Sequence, residues 1–246
     1  MNLHTSLNQL FDARPGIPLR TLLEHQDFQA FLQEHSLGLS LDDLIPCFTH
    51  ASFSHEYQIP SQETLEFLGD AVLQLIISDE LLRLYPDEKE GRLSKLRSTI
   101  VNEKGLAALA RGLKLEQLIL VGKGEFRKEL FNQDVVLADT MEALVGQIYR
   151  CQGFPQTKVI VLNWFERYLP TVFNLSVLED FDSKSRLQEA TLANYKTLPR
   201  YTAQVSPSGF LVELWINEKK VAEGNFSSKK NGERDLAAKA LKEKLF

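Results

Sequence analysis

A chain of 246 residues, 43% hydrophobic and 25% charged, has room for one large domain or two of ordinary size and the composition of a folded globular protein. No uncharged apolar stretch reaches the length of a membrane span, and two cysteines, Cys47 and Cys151, supply neither a disulfide framework nor a zinc set. The net charge of −5 argues against a general nucleic-acid binder but is unevenly spread: from Asp182 to Phe246 there are 12 Lys and Arg against 8 Asp and Glu, and in the remainder 16 against 25. An acidic body with a basic tail suggests two modules with different partners. The N-terminus, MNLHTSLNQLFDARPG, lacks a secretory pattern and single thiols suit a reducing compartment, so a cytoplasmic address is expected.

Residues 1–25 form an extension with no clear amphipathic pattern, although LRTLLEHQDFQAFLQEH has helical character. From Leu39 to Gly153 the periodicity is helical, punctuated at Pro46, Pro60, Pro86, Gly91, Gly112 and the GKG at 122–124. VVLADTMEALVGQIYRCQG reads as a long buried helix and VIVLNWFERYLP as another ending at Pro170, so an all-α module is expected over 26–170. After a linker at 171–181 the character changes. DSKSRLQEATLANY reads as a helix capped by Asp182 or Ser183. YTAQVSPSGFLVELWINEKKVAEGNF gives three β-type runs, and SKKNGERDLAAKALKEKLF a final helix capped by Ser227 or Ser228. The second module, 182–246, is thus a small α-β-β-β-α unit.

The run ETLEFLGDAVLQLIISDELL places Glu63, Glu66 and Asp70 on one helical face amid apolar residues, and a helix apolar on most sides is usually buried. A second run, VVLADTMEALVGQI, carries Asp139 and Glu142 three apart in similar surroundings. Buried carboxylates must be paired or bound to metal, because an uncompensated buried charge costs several kcal/mol. Two readings follow. The helices meet and build an oxygen-ligand site suited to Mg²⁺ or Mn²⁺, or the acids are matched by Arg92, Arg97 or Arg111.

ETLEFLGDAVL resembles the signature of bacterial ribonuclease III, and LADTMEAL resembles that family's second acidic motif. EGRLSKLRSTIVN, at 90–102, is similar to the helix joining them, and FTHASF, at 48–53, to the entry helix, with His50 and Ser52 in matching positions. The tail, SKSRLQE through SSKKNGERDLAAKAL, is similar to the family's double-stranded-RNA-binding domain. The resemblance runs in order over about residues 28–246. It implies a metal-dependent endoribonuclease that hydrolyses double-stranded RNA to 5′-phosphate and 3′-hydroxyl ends, processing ribosomal RNA precursors and other structured transcripts. It implies a two-fold homodimer, no membrane partner and no small-molecule cofactor. Mg²⁺ would be the ion, with Mn²⁺ as substitute. Carried over by position, Glu66, Asp139 and Glu142 hold metal and Asp70 and Glu142 are catalytic, with Glu142 the direct ligand whose loss abolishes cleavage. Glu63 and Glu90 match secondary acids, and His50 matches a position with a structural role such as helix capping.

In the tail, Lys229 and Lys230 match the family's phosphate-contacting pair, at a helix start whose dipole adds to their charge. Gln188 and Glu189 match positions facing the minor groove. The sequence departs from the family pattern at several points. The loop between the first two strands is only SPSG, Phe226 stands where Gly is usual, and Gly232 where Ala is usual. In the catalytic half Gln62 and Thr64 flank Glu63, EFRKELFNQDVV replaces a Gly- and basic-rich stretch, and Cys151 replaces a common Asp.

Overall fold

In the computed structural model the described residues are 3–12, 25–207 and 209–246, side chains at 10–12 and 176–182 excepted. They fall into two units, Met1–Val172 and Phe173–Phe246. The first contains helices α1 (Leu3–Asp12), α2 (Gln26–His35), α3 (Leu41–Phe48), α4 (Ala51–Tyr57), α5 (Glu63–Leu84), α6 (Glu90–Ile100), α7 (Glu103–Gly112), α8 (Lys123–Arg127) and α9 (Asp134–Tyr168). It is all-helical as expected; a single bridge between Thr49 and Leu120 is its β feature among the described residues. Among those residues no helix is long and apolar enough to cross a membrane.

Local chemistry sets the ends of these helices. Ser40 and Asp43 form a reciprocal capping box at α3. Pro46 lies inside that two-turn helix without ending it, and Gly91 sits in the first turn of α6, where the entropic cost of glycine is borne at a helix end. α9 is broken at Gly153, whose φ of +73° suits a residue without a Cβ, with Pro155 just beyond. Lys158, after the break, reaches back to Asp79 and Glu80 of α5.

Two expectations fail in this unit. The extension holds a helix, α1, whose Leu3 and Leu7 are fully buried; the spacing of Leu3, Leu7 and Leu10 is the helical signal that was overlooked. Nor is α5 buried on most sides. It covers Leu65, Val72, Leu73, Ile76, Ile77 and Leu81 but leaves Phe67 83%, Leu75 56% and Leu82 57% exposed.

The second unit contains α10 (Ser176–Tyr195), an antiparallel sheet in the order β1 (Arg200–Ser206), β2 (Gly209–Ile216), β3 (Lys219–Phe226), and α11 (Lys229–Glu243). Both strand connections are two residues long. Asn217 and Glu218 adopt the positive φ that a tight hairpin requires. Leu187, Val212, Leu214, Ile216, Leu236 and Ala240 form its core. α10 begins at Ser176, so residues 176–181 are helical rather than linker. Asp182's side chain lies outside the described residues. Ser183 does not cap: its buried hydroxyl donates to the Arg234 carbonyl. Ser228 does cap α11, accepting from the Asn231 N–H.

The substitutions at 226 and 232 are one packing change. A methyl group on Gly232 would lie 2.6 Å from the Phe226 ring and from Val212, so the ring fills the place an alanine would need.

Candidate metal centre

The site is made by a helix crossing. A methyl group on Gly69 would sit 1.7 Å from the backbone oxygen of Glu142, and one on Gly146 would sit 2.3 Å from that of Leu65. α5 and α9 therefore touch backbone to backbone, and only glycine permits the approach. The N-terminus of α5 is held there as well. Gln62, buried, donates its N–H to the Thr49 carbonyl and accepts with its side chain from Thr140 Oγ1 of α9 at 3.2 Å.

At this crossing Glu66, Asp139 and Glu142 each offer a carboxylate oxygen within 4.8 Å of the others, all three half-buried. Trans ligands on an octahedral ion at about 2.1 Å lie about 4.2 Å apart, so small side-chain movements bring this set onto one cation. An all-oxygen, all-anionic donor set fits Mg²⁺ or Mn²⁺ chemistry.

The electrostatics point the same way. Burial pushes the Glu142 carboxyl up to about 8, and the neighbouring charges of Asp70, Asp139 and Glu66 add to it. Glu66 is raised by burial, then by Asp139, Glu63 and Asp70. Asp139 is raised by burial, with partial relief from His50. Crowded acids that resist ionisation gain most from a divalent cation.

The arginines that offered an alternative point elsewhere: Arg92 to Glu88, Arg97 to Ser78, and Arg111 to Asp134 and the Asn132 carbonyl. The pairing reading therefore fails for these three. Asp70 stands beside the cluster, close enough for its charge to lead the charge effects on Glu142, and its carboxylate accepts from Gln74. Glu63 is exposed and accepts from Ser61. Glu90 is apart from the cluster, exposed at the start of α6, where it helps line a cavity of about 260 Å³ with Ser78, Leu81, Leu82, Leu93 and Arg97. His50 caps α4, its Nδ1 accepting from the Ser52 N–H, and burial lowers its pKa.

In the second unit Gln188 and Glu189 are exposed on α10, and Lys229 and Lys230 are exposed in the first turn of α11. The two helices pack on each other, and Lys184 of α10 pairs with Glu233 of α11. Arg234, farther along α11, pairs with Asp235.

Sequence reasoning missed Gly69, Gly146 and the Gln62–Thr140 bond. The available signal was an isolated glycine within each of two strongly helical patterns.

A family model described as ribonuclease-III-like matches residues 44–169. Ribonuclease 3 of Borreliella burgdorferi is 40% identical over 220 residues, spanning 86% of this chain and 89% of that protein. Ribonuclease 3 of Corynebacterium glutamicum is 34% identical over 242 residues, spanning 96% and 92%. The nuclease domain of ribonuclease III from Campylobacter jejuni is similar in structure, with a TM-score of 0.56 and 34% identity over 59% of this chain and 98% of that domain. A further structure of the same domain describes flexibility in a region involved in its dimer formation.

Proposed function

From the premise that the chain belongs to the ribonuclease III family, whose activity is endonucleolytic cleavage of double-stranded RNA, we propose a homodimeric, Mg²⁺-dependent enzyme. It cuts both strands of a duplex and leaves 5′-phosphate and 3′-hydroxyl ends. The observation that carries the site assignment is the convergence of Glu66, Asp139 and Glu142 within 4.8 Å at the α5–α9 crossing.

Glu66, Asp139 and Glu142 would hold the ion, with Mn²⁺ able to substitute, and Asp70 completes the anionic field. When bound, such an ion supplies concentrated positive charge for the extra negative charge of phosphodiester hydrolysis. The chain's own contribution is to keep four carboxylates in fixed register on two locked helices. Burial favours the protonated Glu142 carboxyl near neutral pH, so Glu142 would have to give up that proton to serve as a ligand. Glu63 and Glu90, both exposed, act from outside this set as secondary acids.

Two strands need two clusters, and a two-fold dimer provides them. The exposed stripe of Phe67, Leu75 and Leu82 along α5 supports this arrangement. Leaving such side chains in water forgoes roughly 1.5–3 kcal/mol each, which a self-complementary partner surface recovers. Duplex capture falls to the second unit. Lys229 and Lys230 meet phosphates, and Gln188 and Glu189 face a minor groove, the shape-reading mode of such modules. Ribosomal precursors and other structured transcripts in the cytoplasm are the natural substrates of this chemistry.

The test is cleavage of an end-labelled, perfectly paired RNA with Mg²⁺ or chelator, by the native protein and by Glu142→Gln. Staggered short duplexes that appear only with metal, and only with the native protein, are expected. Binding without cleavage in Mg²⁺, or in Mn²⁺ used in its place, would instead identify a catalytically silent RNA-binding relative.

A further inference from the structure

The N-terminal helix lies outside the acidic motifs and the RNA-binding unit, yet it packs on the segment that leads into α9. Leu3 and Leu7 are fully buried. The Leu3 N–H donates to Asp27 Oδ2 at 2.8 Å, and Ser6 Oγ lies 3.3 Å from His25 Nε2, so α1 is fastened to the start of α2. Its His4 packs on two aromatic rings. One is Phe126 of α8, edge-on at 5.5 Å between centroids; the other is Phe131, tilted at 4.3 Å. Phe126 and Phe131 are themselves 5.3 Å apart. Burial holds the His4 pKa low, against opposing effects from the Glu116 backbone and Asp27. His4 Nε2 is buried and finds no hydrogen-bond partner among the described residues. A neutral ring in that setting acts mainly by packing.

The two phenylalanines lie within residues 122–133, whose ends are both tied to the metal centre's surroundings. At one end the Gly122 N–H donates to Ser52 Oγ, which lies 2.8 Å from His50 Nδ1; His50 feels the charges of both Glu125 and Asp139. At the other end the segment runs through Asn132 into α9, where Arg111 bonds the Asn132 carbonyl and Asp134. Between them it carries Lys123, Arg127 and Lys128 against Glu125 and Glu129, with Arg127 and Lys128 exposed. A polyanion approaching a cluster of carboxylates gains from cations fixed at its edge.

We propose that α1 is an intramolecular clamp, with His4 as the positioning residue, that fixes residues 122–133 in the conformation meeting the duplex. This rests on the duplex-cleaving reading above. The cluster itself is locked separately by the glycine crossing, so loosening the clamp affects substrate capture more than chemistry.

The experiment compares the full-length protein with His4→Ala and His4→Phe. In RNA-free protein, backbone amides of 122–133 in His4→Ala should exchange with deuterium at least tenfold faster, with those of 137–148 unchanged. For a paired RNA, KM should rise three- to tenfold while kcat and the Mg²⁺ requirement stay within twofold. His4→Phe, which keeps an aromatic ring, should restore both. Should His4→Ala fail to fold, His4→Leu, which keeps apolar volume without the ring, carries the same expectations. Unchanged exchange, an unchanged KM, a loss confined to kcat, or failure of the Phe variant to restore function would each overturn the clamp. Exchange is read without RNA, so the clamp can be judged even if the native protein leaves duplex uncut.

Discussion

The carboxylate cluster and the surface proposed to meet RNA on the second unit pose opposite problems. At the α5–α9 crossing the important side chains are half-buried, mutually repelling and held by a contact between two backbones. On α10 and α11 they are exposed, within the body of α10 and in the first turn of α11, with the core of the unit made by other residues. The first arrangement concentrates charge that water and counterions cannot fully relieve, so its members act as one unit. The second offers solvated side chains, whose contacts with a duplex should be weak and contribute separately. Function at the first depends on the fold; at the second it is laid upon the fold.

The sharpest way to break this contrast is Gly69→Ala. Its methyl group would overlap the Glu142 backbone, so the helices must separate. Cleavage should fall by about 10²-fold or more, and stability by roughly 1–3 kcal/mol or more. Denaturant unfolding and a cleavage assay read the two effects together.

Glu142→Gln should cost about 10²–10³-fold in cleavage or more, yet stabilise the metal-free protein at alkaline pH. The Glu142 carboxyl lies near 8 in the folded protein, against an ordinary 4.5. The folded state therefore holds the proton more tightly. Its contribution to stability is complete below pH 4.5 and is lost as pH rises through 8. Allowing for solvent screening of a half-exposed group, the loss is on the order of 1–2 kcal/mol. Thermal unfolding in chelator from pH 6 to 9 should show Tm declining more in the native protein than in the variant, with Mg²⁺ narrowing the gap.

In the second unit Gly232→Ala should cost roughly 1–3 kcal/mol by overpacking against Phe226 and Val212, and adding Phe226→Leu should recover part of it. A double-mutant cycle measured by thermal unfolding of the full chain checks the coupling. The smallest effects belong to Lys229→Ala and Lys230→Ala. Each should weaken duplex binding a few-fold and reduce the salt slope by about 1, with kcat unchanged. If the two losses failed to combine nearly additively, the two regions would not differ in this way.

Legibility in the sequence followed the same division. The spacing of Glu66, Asp70, Asp139 and Glu142 was readable because helical period alone sets which residues share a face. Their convergence was not, because it depends on where two helices cross, and the evidence for that was two unremarked glycines. The exposed side of α5 was misread for a related reason: Phe67, Leu75 and Leu82 look like core until the neighbouring helices are known to pack on the other face. α1 escaped notice although Leu3 and Leu7, both fully buried, stand one helical turn apart. The start of α10 at Ser176 carried no capping signal, since Leu175 has no capping side chain. The strands were easier, since alternation and two tight turns fix a three-stranded sheet within a short span.

The Phe226–Gly232 pair also constrains how this chain can be recombined with its relatives. The ring of β3 and the bare position on α11 are separated by a helix cap, a natural place to join segments of two parents. A crossover there would either set a phenyl ring against a methyl group or leave a vacant hole, so half of the pair cannot be inherited alone. Exchanges that carry β3 and α11 together avoid the conflict, which makes strand and helix, rather than either element, the smallest transferable block at this end of the molecule.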